Sequence, residues 1–167
     1  IITRTPYRIP LAGGGTDLDF YYKKRGGLFI SATFNQFVFA IILRRQIDDK
    51  VLIQTTDTQF ARSTNQVKHG IIREILKFFK IKNKIQVGTF ATLPTSSGLG
   101  SSSSLIVGII FGLSKMLRIK LSKKKIAEIA IFIERKKLKF QGGWQDQIIS
   151  SYGGINKIKI SKKGQFK

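Results

Sequence analysis

The sequence predicts an α+β domain in which strands come first and helices follow. Two observations carry this. Extended segments rich in Ile, Val, Phe and Thr crowd the first third of the chain, and helix-spaced apolar patterns dominate from His69 onward. Strand and helix therefore do not alternate as they would in a doubly wound sheet. Taken in order, residues 1–12 read as extended, because Pro6 and Pro10 exclude a helix, and they run into the turn Gly13-Gly14-Gly15-Thr16-Asp17. Residues 28–34, 37–44 and 51–56 are β-branched and aromatic and read as antiparallel neighbours, with Asp48-Asp49 turning the chain before the third. Over 69–79, Ile71, Ile72, Ile75, Leu76 and Phe79 share one helical face. Strand spacing returns at Ile85, Val87 and Phe90. A loop over 92–100 leads into a helix over 101–117 that is apolar all round, hence buried on most sides. Ser122 reads as the N-cap of a helix reaching about residue 135, and Gly142-Gly143 breaks the chain before a short helix. A last strand covers 155–160. The sum is six strands and three or four helices in one domain, residues 1–167.

Composition excludes several function classes. The chain has 30 Lys and Arg against 9 Asp and Glu, a formal charge of +21, which suits a polyanion partner. However, 21 of those cations are Lys and only 9 are Arg, the residue whose fork reads bases and phosphates. The charge is therefore read as a solvated Lys-rich surface, with a basic nucleic-acid-binding module as the competing reading. Hydrophobic residues at 42% make the chain foldable rather than a basic tail. With no Cys and a single His, His69, disulfide scaffolds, thiolate zinc sites, cysteine nucleophiles and multi-histidine metal sites are all excluded. No apolar run is long enough to cross a bilayer, so no membrane partner is expected. The chain begins at Ile1 with no signal segment ahead of the first strand, which reads as a trimmed start.

Three constellations could carry chemistry. Pro94-Thr95-Ser96-Ser97-Gly98-Leu99-Gly100-Ser101-Ser102-Ser103-Ser104 joins a strand to a buried helix, so that glycine turns and the free N–H groups of a helix start form a phosphate cradle. It lacks the Lys of a Walker loop and the spacing of GxGxxG, but its hydroxyls can donate to phosphate or sit on Mg²⁺. Glu134 falls on the apolar arc of its helix with Ile126, Ala127, Ala130 and Ile133, where a carboxylate needs a partner, either a cation of the protein or a Mg²⁺ that bridges phosphates. Asp146, after Gly142-Gly143, is placed to orient a hydroxyl and accept its proton in phosphoryl transfer, or to cap a helix. Asp17 follows a glycine run and can bond sugar or polyol hydroxyls.

Arg4-Thr5-Pro6-Tyr7-Arg8-Ile9-Pro10-Leu11-Ala12-Gly13-Gly14-Gly15-Thr16-Asp17, the 94–104 loop, and Gly142-Gly143-Trp144-Gln145-Asp146-Gln147 followed by Tyr152-Gly153-Gly154-Ile155-Asn156 together resemble the GHMP small-molecule kinases. Among them the sequence is most similar to the D-glycero-D-manno-heptose 7-phosphate kinases. The resemblance implies the family's N-terminal domain, a ribosomal-protein-like two-layer sandwich, and transfer of phosphate from ATP to a sugar hydroxyl, the anomeric one in the heptose case. It implies ATP held by Pro94, Ser96, Ser97, Gly98, Leu99, Gly100, Ser101, Ser102 and Ser103, with Mg²⁺ on Ser102 and Glu134. Asp146 corresponds to the base, Arg8 to the cation near the transferring phosphate, and Gly14, Gly15, Thr16, Asp17 and Gly143 to substrate contacts. A small-molecule sugar or sugar phosphate and a cytoplasmic setting are implied as well. Two departures stand out: Trp144 occupies a place where heptose kinases usually carry Lys and fucokinase-like members carry Trp, and the chain stops at Lys167 before the family's C-terminal domain. It is therefore expected to be an N-terminal fragment.

Overall fold

The computed structural model describes residues 1–94 and 97–167. Its strands are β1 (Ile2–Ala12), β2 (Gly27–Arg44), β3 (Val51–Gln54), β4 (Thr58–Ala61), β5 (Ile85–Ala91) and β6 (Ile155–Ile160). The helices are α1 (Asp19–Arg25), α2 (Gly70–Phe78), α3 (Ser101–Met116), α4 (Lys123–Ile131) and α5 (Gln145–Tyr152), and a π-helical turn, Phe132–Lys137, continues α4. One sheet holds all six strands in the order β1-β2-β5-β3-β4, with β6 also paired to β2. This is the expected α+β class. β1 lies at the sheet edge, where Pro6 and Pro10 are tolerated.

The strand reading needs two corrections. Residues 28–34 and 37–44 are not separate strands but parts of the single strand β2. Pro6 faces Phe37 and Arg8 faces Thr33, so Phe34, Asn35 and Gln36 together oppose Tyr7 alone. Such a bulge bends a strand without ending it. The far edge of β2 is then shared, residues 27–32 pairing with β6 and 38–44 with β5. Nor is β3 an antiparallel neighbour of β2: it runs parallel to β5 and antiparallel to β4. The α2 crossover between β3 and β5 supplies the length a parallel pairing requires. The turn before β3 is where Asp48 was expected, and Asp48 accepts two N–H bonds from Arg45 at 2.8 and 2.6 Å. Those bonds pull its carboxyl down to about 2.

The core lies between sheet and helices. Ile106, Ile109, Ile110 and Leu113 of α3 pack with Ile72, Ile75 and Leu76 of α2 and with Ile42, Ile53 and Val87 of the sheet. Each such side chain contributes about 1.5–3 kcal/mol by leaving water. α3 sits unusually close to the strands: a methyl on Gly112 would lie 2.6 Å from Ile42 Cδ1, and one on Gly108 2.7 Å from Thr5 Oγ1. Ser104 Oγ also donates to the carbonyl of Pro6 at 2.9 Å, which holds the first turn of α3 against β1. A second cluster, including Tyr22, Phe29, Ile148, Ile149 and Ile160, seats α1 and α5 on the β2–β6 end.

His69 caps α2, its Nδ1 accepting the N–H of Ile72 at 3.4 Å. Burial pushes its pKa below the ordinary 6.5, so the fold favours the neutral ring. The stabilisation is complete above that ordinary value and is lost as pH falls through the lower, folded one. Because His69 is the only histidine, His69→Asn, which keeps a capping acceptor, will flatten the dependence of the thermal midpoint on pH between about 7 and 5. An unchanged slope in that variant would place the dependence elsewhere.

Candidate active site

The N-terminus of α3 is a 16-residue helix start with no side-chain cap, entered through Gly100 in the left-handed region (φ 82°). Its first N–H groups lack intrahelical acceptors, and the helix dipole adds partial positive charge there. Arg8, from the bulged stretch of β1, lies directly beside this turn. Its backbone N–H donates to the carbonyl of Leu99 at 3.2 Å, and its Nη1 donates to that of Gly98 at 3.1 Å. The same guanidinium grips Asp146 on the first turn of α5: Nε and Nη2 both lie 2.7 Å from Oδ1. Oδ2 accepts no hydrogen bond among the described residues, and the Asp146 side chain keeps 25% exposure, enough to meet a small molecule. Residues 138 apart in sequence thus make one charged pair at the mouth of a helix terminus. Pro94, Ser97, Gly98 and Ser102 are exposed around it, Leu99, Gly100 and Ser101 half-buried, and Ser103 buried. The expectation for Ser96 falls outside the described residues.

Glu134 is buried at 5% exposure, and Ser103 Oγ donates to its Oε2 at 2.7 Å. Gln147 Nε2 donates to the same oxygen. Ser103, not its exposed neighbour Ser102, is thus the serine that reaches Glu134. Among the described residues Glu134 forms no ion pair, so the protein-cation alternative is not what the structure contains. Glu134 stands in the π-helical turn that continues α4. Arg135 donates to the carbonyls of Gly143 at 2.9 Å, Gln141 at 3.0 Å and Phe140 at 3.2 Å. It thereby moulds the loop that delivers Asp146. Only the cluster of carbonyls around it, invisible in a helical wheel, would have identified it.

Asp17 is buried beneath that loop. Its Oδ2 accepts the N–H groups of Trp144 and Gln145 at 2.7 and 2.8 Å, so it caps α5 and one oxygen is already committed to the backbone. Thr16 Oγ1 lies 2.8 Å from the carbonyls of both Gly13 and Leu28 and ties the glycine turn to β2. Gly14 and Gly15 are exposed beside it, and Gly143 lies against Asp17. An open groove of about 2010 Å³, walled by Arg25, Lys124, Phe132, Lys136, Trp144 and Lys159, lies elsewhere. Arg8, Asp146 and the start of α3 do not line it, so hydrogen-bonded chemistry rather than volume picks out the site.

An uncapped helix start flanked by a guanidinium fits a polyphosphate. For a magnesium ion the donor set fits as well, since Glu134 is a buried carboxylate whose hydrogen-bond donors are neutral, the Ser103 hydroxyl among them.

Comparison with known proteins agrees in family. The chain is 34% identical to the D-glycero-alpha-D-manno-heptose 7-phosphate kinase of Campylobacter jejuni over 93% of its own length and 49% of that protein. A D-glycero-D-manno-heptose 1-phosphate kinase from Bacteroides thetaiotaomicron superposes with a TM-score of 0.92 at 26% identity, over 99% of this chain and 58% of the other. A crystal structure of a sugar kinase described as putative, also from Campylobacter jejuni, superposes at 0.83 with 32% identity, over 99% of this chain and 54% of that one. The chain thus spans about half the length of these relatives. Residues 65–154 match the model of the GHMP kinases N-terminal domain, which takes in the α3 terminus, Glu134 and Asp146, and with the agreement across nearly the whole chain this makes the protein a member of the GHMP kinase family.

Proposed function

We propose that the chain is the nucleotide-binding, base-carrying part of an ATP-dependent sugar kinase acting on the anomeric hydroxyl of D-glycero-D-manno-heptose 7-phosphate. The observation that carries this is the Arg8–Asp146 pair at the uncapped start of α3. Phosphates of ATP would lie along residues 97–100 and the first N–H groups of α3, with Arg8 countering charge near the transferring group. Asp146 takes the hydroxyl proton as the sugar oxygen attacks the γ-phosphorus; the bond to the β-phosphate oxygen breaks and ADP leaves. Glu134 with Ser102 or Ser103 would hold Mg²⁺, whose charge would offset that of the phosphates. Gly14, Gly15, Thr16 and Gly143 border the sugar. Asp17, with Oδ2 on the backbone, can offer Oδ1 to a hydroxyl.

The test is ADP release by the complete protein across a sugar panel. Turnover with heptose 7-phosphate well above that with galactose or fucose supports the reading. Preference for L-fucose would instead favour a fucokinase-like enzyme, the reading that Trp144, packed 4.8 Å from the ring of Tyr22, keeps open. RNA binding that falls steeply with salt, without sugar-dependent turnover, would favour the nucleic-acid module.

A further inference from the structure

Gln147 follows Asp146 on α5 and is wholly buried. Its Nε2 donates to Glu134 Oε2 and, at 3.1 Å, to Ser103 Oγ, which itself donates to that carboxylate oxygen. α3, the π-helical turn and α5 therefore meet at one oxygen atom. The other end of the amide shows what this arrangement costs: Gln147 Oε1 is buried with no hydrogen-bond partner among the described residues. Packing does not account for such a residue, because Met or Leu would fill the same volume and leave no orphaned acceptor. What neither could do is donate to a carboxylate.

We infer that Gln147 is the positioning residue of the cation site: with Ser103 it saturates Oε2 of Glu134 and fixes the carboxylate, leaving Oε1 as the oxygen for a divalent ion. The inference rests on the reading of Glu134 as a Mg²⁺ ligand given above. It assigns no contact with substrate to Gln147. Because side chains of adjacent helical residues diverge by about 100°, one helix holds the base toward Arg8 and the amide toward Glu134. Base and cation site are then set in register by α5 alone. Outer-shell partners of this kind orient ligands and tune their affinity.

The experiment uses the complete protein, Mn²⁺ as the spectroscopic probe and a non-hydrolysable ATP analogue. In an electron paramagnetic resonance titration Gln147→Met is expected to weaken Mn²⁺ binding about 10- to 100-fold. Binding of the analogue in the presence of chelator stays unchanged, and the unfolding midpoint of the metal-free protein does not fall. In turnover, the Mg²⁺ concentration for half-maximal rate rises, while the rate at saturating Mg²⁺ changes far less. Gln147→Asn, which keeps the amide on a shorter arm, gives an intermediate affinity and serves if the Met variant does not fold. Wild-type Mn²⁺ affinity in a folded Gln147 variant overturns the inference. Glu134→Gln separates the two readings: if it loses Mn²⁺ while Gln147→Met does not, only the role of Gln147 fails; if it keeps Mn²⁺, the cation site fails and this inference with it.

Discussion

In the complete protein, Asp146→Asn will lower kcat by about 10³-fold or more, as expected when a general base is removed from a site that otherwise stays assembled. The amide preserves the shape of the carboxylate and can still accept one N–H from Arg8, so the pair that now spans 2.7 Å is weakened rather than abolished. The uncapped start of α3 does not depend on Asp146, and affinity for ATP, measured by calorimetry, should change by less than about threefold, since the proposed role of the lost group is not that of a phosphate ligand. Turnover within tenfold of wild type in a steady-state assay would remove Asp146 from the base role. Arg8→Met is the informative companion. On the proposed reading it strips a cation from the transferring phosphate, and it leaves Asp146 unheld, so it should lower both kcat and ATP affinity.

The other large effect is expected at a residue with no side chain. A methyl group on Gly143 would sit 2.0 Å from Oδ2 of Asp17 and 2.6 Å from Oδ1, inside any permissible contact. Asp17 cannot retreat without releasing the N–H groups of Trp144 and Gln145, the start of α5. Gly143→Ala will therefore destabilise the fold by about 3 kcal/mol, combining overpacking with loss of a charged cap. It will also displace Asp146, three residues on. Denaturant unfolding reads the first effect and kcat the second. Asp17→Ala in the Gly143→Ala background makes room for the methyl, and recovery of stability beyond additivity would show that the clash is with that carboxylate.

The element types were largely legible in the sequence because apolar periodicity records which face a segment buries. The α2 and α3 patterns and the strand over 155–160 follow from that, and the cap at Ser122 from its hydroxyl. α1 and β4 leave no apolar period in the sequence, since each buries a single side chain, Tyr22 and Ala61. Pairing was less visible: that β2 is one strand with two partners on one edge depends on a bulge opposite Tyr7, and that β3 runs beside β5 depends on where α2 crosses. Asp146 and Glu134 could be singled out by residue type and neighbours, and Arg8 through the family resemblance. Which groups meet them could not, because Arg8 and Asp146 are joined only by tertiary packing. Hydrogen-bond commitments such as the Oδ2 of Asp17 on peptide N–H groups, or Ser103 rather than Ser102 on Glu134, are likewise set by atomic distances.

The shared edge of β2 also bears on how the protein is made. Residues 27–32 stay without their β6 partner until residues 155–160 have been synthesised, whereas β1 and β5 reach β2 from much nearer along the chain. Closing so long a loop is slow compared with forming the local pairs. On the ribosome the sheet and the α3 core can therefore consolidate first, with α5 and β6 added as the last piece. On the proposed reading, the helix terminus that faces phosphate would exist before the base arrives, and the nascent chain would be able to hold a nucleotide before it carries the group that uses it.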